Sequence, residues 1–180
     1  RRGLLNLPTT VDALPRYLDQ KNVELFTSHK IYTEAEMEAR YETILEEYSK
    51  TLNIEALTMS EMTRQDILPA VSAYIASLAD AVASKRAVIS GLPCAAETSL
   101  IQKLSGLLDS AYEKVEALDA LVTDGKASEY DHNTLRVATY YKDKIIPAMN
   151  ELRAVVDQME VDTSAAFWPY PSYGDLMFRV

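Results

Sequence analysis

The chain has 180 residues, 48% of them hydrophobic and 25% charged, with a formal net charge of −9. That balance excludes a disordered chain, and the acidic surplus excludes the basic footprint that nucleic acid or anionic lipid requires. A single cysteine, Cys94, excludes an internal disulfide and fits a reducing, cytoplasmic setting, and no apolar run is expected to approach the length that spans a bilayer.

Residues 1–32 read as a lead-in segment. It opens Arg1-Arg2-Gly3, with no initiator methionine and no signal-peptide pattern, as a fragment of a longer chain would open. Pro8 and Pro15 interrupt it, and Thr9-Thr10-Val11-Asp12 is a helix start, so two short helices are expected.

Four segments then carry apolar residues at alternating three- and four-residue steps, the mark of packed helices. The first runs Met37, Tyr41, Ile44, Tyr48, Leu52. Thr33 and Glu36 form a capping box before it, Glu34, Glu36 and Glu38 suit the helix dipole, and Glu36–Arg40 and Glu46–Lys50 are favourable i,i+4 pairs. Between Ser49 and Ser60 the helix either runs on or restarts at Asn53 or Thr58. The second segment is Leu68, Val71, Ile75, Leu78, Val82, with Ile89 one heptad later, and Ser90-Gly91-Leu92-Pro93 stops it. Leu78 lies mid-seam, so Leu78→Asp is expected to be severe. The third is Ile101, Leu104, Leu108, Ala111, Val115, Leu118, Val122, ended by Asp124-Gly125. The fourth is Ile145, Met149, Leu152, Val156, Met159.

Pro69 and Pro147 fall inside apolar stretches and should each kink a helix or mark its start. Their surroundings, Ile67-Leu68-Pro69-Ala70-Val71 and Ile145-Ile146-Pro147-Ala148-Met149, look alike, which chance explains more simply than a short duplication. Strand-type alternation is absent over any comparable length, and the short connections imply antiparallel neighbours. The expectation is an all-α fold: an antiparallel bundle of three to four long helices over residues 33–164, with an irregular tail over 165–180.

Chemistry is sparse. A carboxylate-bridged metal site needs two Glu-x-x-His pairs, and Glu129-Tyr130-Asp131-His132 is the one copy, better read as a solvated N-terminal turn. His29 reads as a surface or helix-end residue, and Cys94 as a half-buried loop thiol without a histidine nearby in sequence. The glycines form no phosphate-cradling loop. The acids at 34–47 form a solvated face, and Tyr140 and Tyr141 are core and rim. Catalytic, cofactor-binding and metal-ligating residues are therefore expected to be absent from this chain. The tail is the exception: Phe167, Trp168, Tyr170, Tyr173 and Phe178 put five aromatics in its last fourteen residues. Such apolar surface must be covered, either by the tail's own bundle or by a neighbouring domain or subunit.

Tyr48-Ser-Lys-Thr-Leu-Asn-Ile-Glu-Ala-Leu-Thr-Met59 and Asp66-Ile-Leu-Pro-Ala-Val-Ser-Ala-Tyr74 resemble the C-terminal region of type III glutamine synthetases. So do Tyr140-Tyr-Lys-Asp-Lys-Ile-Ile-Pro-Ala-Met149 with Glu151-Leu-Arg-Ala154, and Trp168-Pro-Tyr-Pro-Ser-Tyr-Gly-Asp-Leu176. The opening Arg2-Gly-Leu-Leu-Asn-Leu-Pro-Thr-Thr-Val-Asp-Ala-Leu-Pro15 looks like the lead-in to that region. The resemblance implies a parent enzyme that joins ammonia to glutamate with ATP through a γ-glutamyl phosphate, using Mg²⁺ or Mn²⁺. It implies large subunits in two stacked hexameric rings, with the catalytic residues upstream and none carried onto this chain. The expected partners are that upstream catalytic domain and neighbouring subunits, with no nucleic acid and no membrane. A free-standing helical adaptor is the alternative, and a bundle enzyme with an unrecognised site is a third.

Overall fold

A computed structural model describes residues 3, 5–128, 133–171 and 173–178, and every regular element among them is helical. The chain divides into two compact units, Arg1–Ala56 with Ala120–Pro147, and Leu57–Asp119 with Ala148–Val180.

In the first unit, α1 (Thr10–Ala13) starts at an N-cap Thr9, whose hydroxyl oxygen accepts from the Asp12 amide. A short 3₁₀ turn at Leu14–Leu18 leads to α2 (Gln20–Ser28), and His29 caps α2 at its C-terminus. The capping box then opens α3 (Glu34–Met62): Glu36 accepts from the Thr33 amide at 2.7 Å, and Thr33 Oγ1 accepts from the Glu36 amide at 3.3 Å. Glu46 pairs with Lys50 at 3.0 Å as expected, whereas Arg40 lies 4.5 Å from the centroid of the Tyr32 ring. The helix continues without a break from Ser49 through Ser60, where the sequence left a restart open.

The end of α5 (Ala95–Ser128), together with α6 (Thr134–Tyr140) and the turn after it, completes this unit. Gly125 lies inside α5, so Asp124-Gly125 does not end the third helix. A Cβ there would sit 3.1 Å from the Tyr140 ring, so glycine serves close packing and not termination. Gly125→Leu should lower stability by roughly 1–3 kcal/mol through overpacking, measurable by urea unfolding. Val11, Leu45 and Ala138 form a buried cluster, flanked by Leu14, Tyr41, Tyr48 and Leu135. At its edge Lys142 donates to Asp12 at 2.8 Å. The Lys142 ammonium, then the Thr9 hydroxyl, hold the Asp12 carboxyl below its ordinary range.

The second unit holds α4 (Leu68–Val88), the first part of α5, and α7 (Ile146–Asp162) from Ala148 onward. α4 ends where the sequence expects, with Gly91 at φ +79°. Arg64 donates to Glu116 at 2.6 Å and to Asp119 at 2.6 Å, and Lys114 to Glu151 at 2.9 Å. Lys85 pairs with Glu97. Leu104, Ala111, Val115 and Leu118 of α5 are buried, as are Leu152, Val155 and Met159 of α7. Cys94 is buried, at φ +38° in the turn before α5.

Among the described residues each unit contains one π-helical turn, Thr63–Ile67 in the second and Tyr141–Ile145 in the first. In each, the amide five residues on closes the ring: Leu68 donates to the Thr63 carbonyl and Ile146 to the Tyr141 carbonyl. A proline follows at once, Pro69 or Pro147. It lacks an N–H, and its ring would strike the carbonyl four residues back in a regular α-helix. Widening the preceding turn moves that carbonyl aside. The expected kinks are thus accommodated as wide turns, and the two similar sequence stretches adopt the same backbone solution.

One expectation needs correction. The helical stretch Glu34–Val88 holds a window with mean hydropathy 1.5, long and apolar enough by length and composition to cross a membrane. A reading by uninterrupted runs missed it because α4 intersperses serines and Asp80 among its alanines and aliphatics. Only 11% of that window is buried within this chain.

Candidate interaction tail

After α7, the backbone folds into a turn in which the Phe167 and Trp168 amides both donate to the Ser164 carbonyl, at 2.8 and 3.0 Å. The turn lays the first aromatics of the tail on the helices of the second unit. The Phe167 ring sits 5.3 Å from that of Tyr74 on α4, tilted by 46°. Tyr170 donates its hydroxyl to Asp66 at 2.7 Å, inside the π turn. Burial, then the bond to Asp66 and its charge, push the Tyr170 phenol up to about 12. Because that value lies above the ordinary 10, this contact is intact below pH 10 and weakens as pH rises towards 12. Trp168 is half-buried, and its indole Nε1 is shielded from solvent.

The rest of the tail differs. Pro169 and Pro171 are exposed, and a short helix, α8 (Tyr173–Phe178), follows. Leu176, Met177 and Phe178 are 65%, 72% and 78% exposed, so this end of the tail is not covered by the chain. Of the five aromatics singled out in the sequence, Phe167, Trp168 and Tyr170 thus lie against their own unit. Phe178 does not, and Tyr173 opens α8. Leu176 and Met177 carry no ring, so a pattern of aromatics does not reveal them, yet they share the exposure of Phe178. Other large apolar side chains share their exposure: Leu25 and Ile31 in the first unit, and Val88 and Ile89 at the end of α4 in the second. Phe167→Ala should release the root of the tail, shifting Trp168 emission to the red and lowering stability by about 1–2 kcal/mol, less than a fully buried phenylalanine would cost. Trp168 is the sole tryptophan of the chain, so its fluorescence reads this directly.

Among the described residues no group of three or more His, Cys, Asp or Glu is placed to hold a metal ion. Glu129 and His132 lie outside the described residues. Polar side chains do line a cavity of about 380 Å³ in the first unit, between Glu42, Glu46, Ser49 and Lys50 on α3 and Asn133, Thr134 and Val137 at the start of α6. Ser49 there donates to the Leu45 carbonyl and Lys50 to Glu46, so these groups are already engaged.

Residues 1–86 match the family model described as glutamine synthetase C-terminal domain. Over its full length the chain is 35% identical to a glutamine synthetase of Butyrivibrio fibrisolvens, covering 25% of that protein. A type-3 glutamine synthetase of Dictyostelium discoideum is 32% identical over 98% of the chain and 24% of the relative. A glutamine synthetase of Bacteroides fragilis is 25% identical over 99% of the chain and 25% of the relative. The chain thus spans about a quarter of the length of the relatives it matches. Taken with the all-helical fold, these similarities show that the chain belongs to the glutamine synthetase C-terminal domain family, with a type-3 enzyme among its relatives.

Proposed function

We propose that this chain is a non-catalytic helical domain that packs against the upstream catalytic part of its own protein and against neighbouring subunits. The parent protein ligates ammonia to glutamate with ATP and Mg²⁺ or Mn²⁺, in a cytoplasmic homo-oligomer of stacked hexameric rings. The observation that carries the packing role is α4. Alanines and aliphatic residues predominate in it, with Ser72, Ser77, Asp80 and Ser84 between them, yet Val71 is the one buried residue of the helix, and Val88 near its end is 84% exposed. The stretch Glu34–Val88 that contains it holds a window of mean hydropathy 1.5, of which 11% is buried, and so apolar a surface suits a helix that other protein covers. Relatives four times as long supply the protein to do so, and they favour this reading over a free-standing adaptor.

The test compares the full-length protein with a version lacking residues 33–180. Removing the domain should leave incompletely assembled particles by mass photometry, and the isolated 180 residues should form no glutamine and bind no MgATP in calorimetric titration. Micromolar MgATP binding by the isolated chain, or normal assembly of the truncated protein, would overturn the reading.

A further inference from the structure

We propose that α8 is an apolar hook that seats in a concave apolar socket on the upstream portion of the parent polypeptide. This rests on the reading of the chain as the C-terminal domain of a longer synthetase. Leu176, Met177 and Phe178 are consecutive and all largely exposed. At 3.6 residues per turn, three consecutive side chains sweep about 200° of the helix circumference. A helix lying on a flat surface buries a stripe little wider than 100°, so no flat face covers all three. The fitting partner is therefore a socket that wraps the helix end, with Phe178 as the anchor and the flexible Met177 filling irregular space.

The root of the hook is already fixed. Phe167 against Tyr74 and Tyr170 on Asp66 hold the preceding turn to the second unit. Pro169 and Pro171 then restrict the backbone between root and hook, which lowers the entropy lost on docking. The second unit holds the root and leaves the hook uncovered. A second copy of this domain is the poorer occupant, because two surfaces of net charge −9 repel. The relatives carry about three quarters of their length outside the matched stretch, and that portion is the occupant the hook is built for.

The experiment uses the full-length protein with Met177 replaced by a photoreactive benzoylphenylalanine. Irradiation should yield adducts to peptides outside these 180 residues, and adding Phe178→Asp or Leu176→Asp should cut the yield at least tenfold. Hydrogen exchange across α3 to α7 should stay unchanged in those variants, separating loss of docking from loss of folding. Adducts confined to these 180 residues, no adduct at all, or a yield indifferent to both aspartates would each overturn the hook. Failure of the broader reading shows separately, as a full-length protein that forms no glutamine.

Discussion

Tyr141→Ala should cost about 3–5 kcal/mol, the range for deleting a buried aromatic ring, and leave the first unit largely unfolded at room temperature. Tyr141 is fully buried and opens the π turn after α6. Its ring meets Tyr140 edge-on at 6.3 Å, and its hydroxyl donates to Asn53 Oδ1 at 3.3 Å. It lies beside Gly125, where a Cβ would make ordinary contact with its hydroxyl at 3.6 Å. The alanine therefore removes packing on several sides at once, and a wide turn has little freedom to collapse into the void. Tyr141→Phe keeps the ring and loses a long hydrogen bond, so roughly 1 kcal/mol is expected. Urea unfolding followed by circular dichroism separates the two. An alanine variant with a midpoint near that of the parent would show that Tyr141 is not central to the core.

Leu104→Asp should be at least as damaging in the second unit. Leu104 is fully buried on α5, so the change removes apolar burial and places an unpaired carboxylate among hydrocarbon. A loss of roughly 4 kcal/mol or more is expected, and the variant should be recovered unfolded or aggregated. Leu78→Asp is milder, contrary to the expectation from periodicity. Leu78 is only half-buried, so a carboxylate there reaches water by a small side-chain rotation. Melting both variants side by side decides the matter: equal losses would restore Leu78 to the core.

The contrast between those two leucines shows where the sequence was legible. On α5 the reading by large apolar residues found Leu104, Ala111, Val115, Leu118 and Val122, all of them buried. On α3 it chose Ile44, which is exposed, over Leu45, which is fully buried. The true stripe continues through Ser49, Ala56, Ser60 and Thr63, residues too small or too polar to register as a seam. Ser49 and Thr63 are tolerated in the buried stripe because their hydroxyls donate to the carbonyls of Leu45 and Met59, four residues back. Pro69 and Pro147 were legible as disturbances, but whether a helix kinks or widens depends on packing that no local pattern encodes. The tail was legible as aromatic, not as divided. Asp66, which binds Tyr170, lies 104 residues earlier in the chain.

The prolines that follow the two wide turns have a dynamic consequence. In an ordinary helix an extra residue can creep along the axis, because each amide can take over its neighbour's bond. Pro69 and Pro147 have no amide to hand on, so each wide turn is pegged at its C-terminal edge. A one-residue insertion or deletion upstream cannot be absorbed by letting the bulge wander past the peg. The chain thus carries two fixed phase marks, one per unit, against which the faces of the adjoining helices are set.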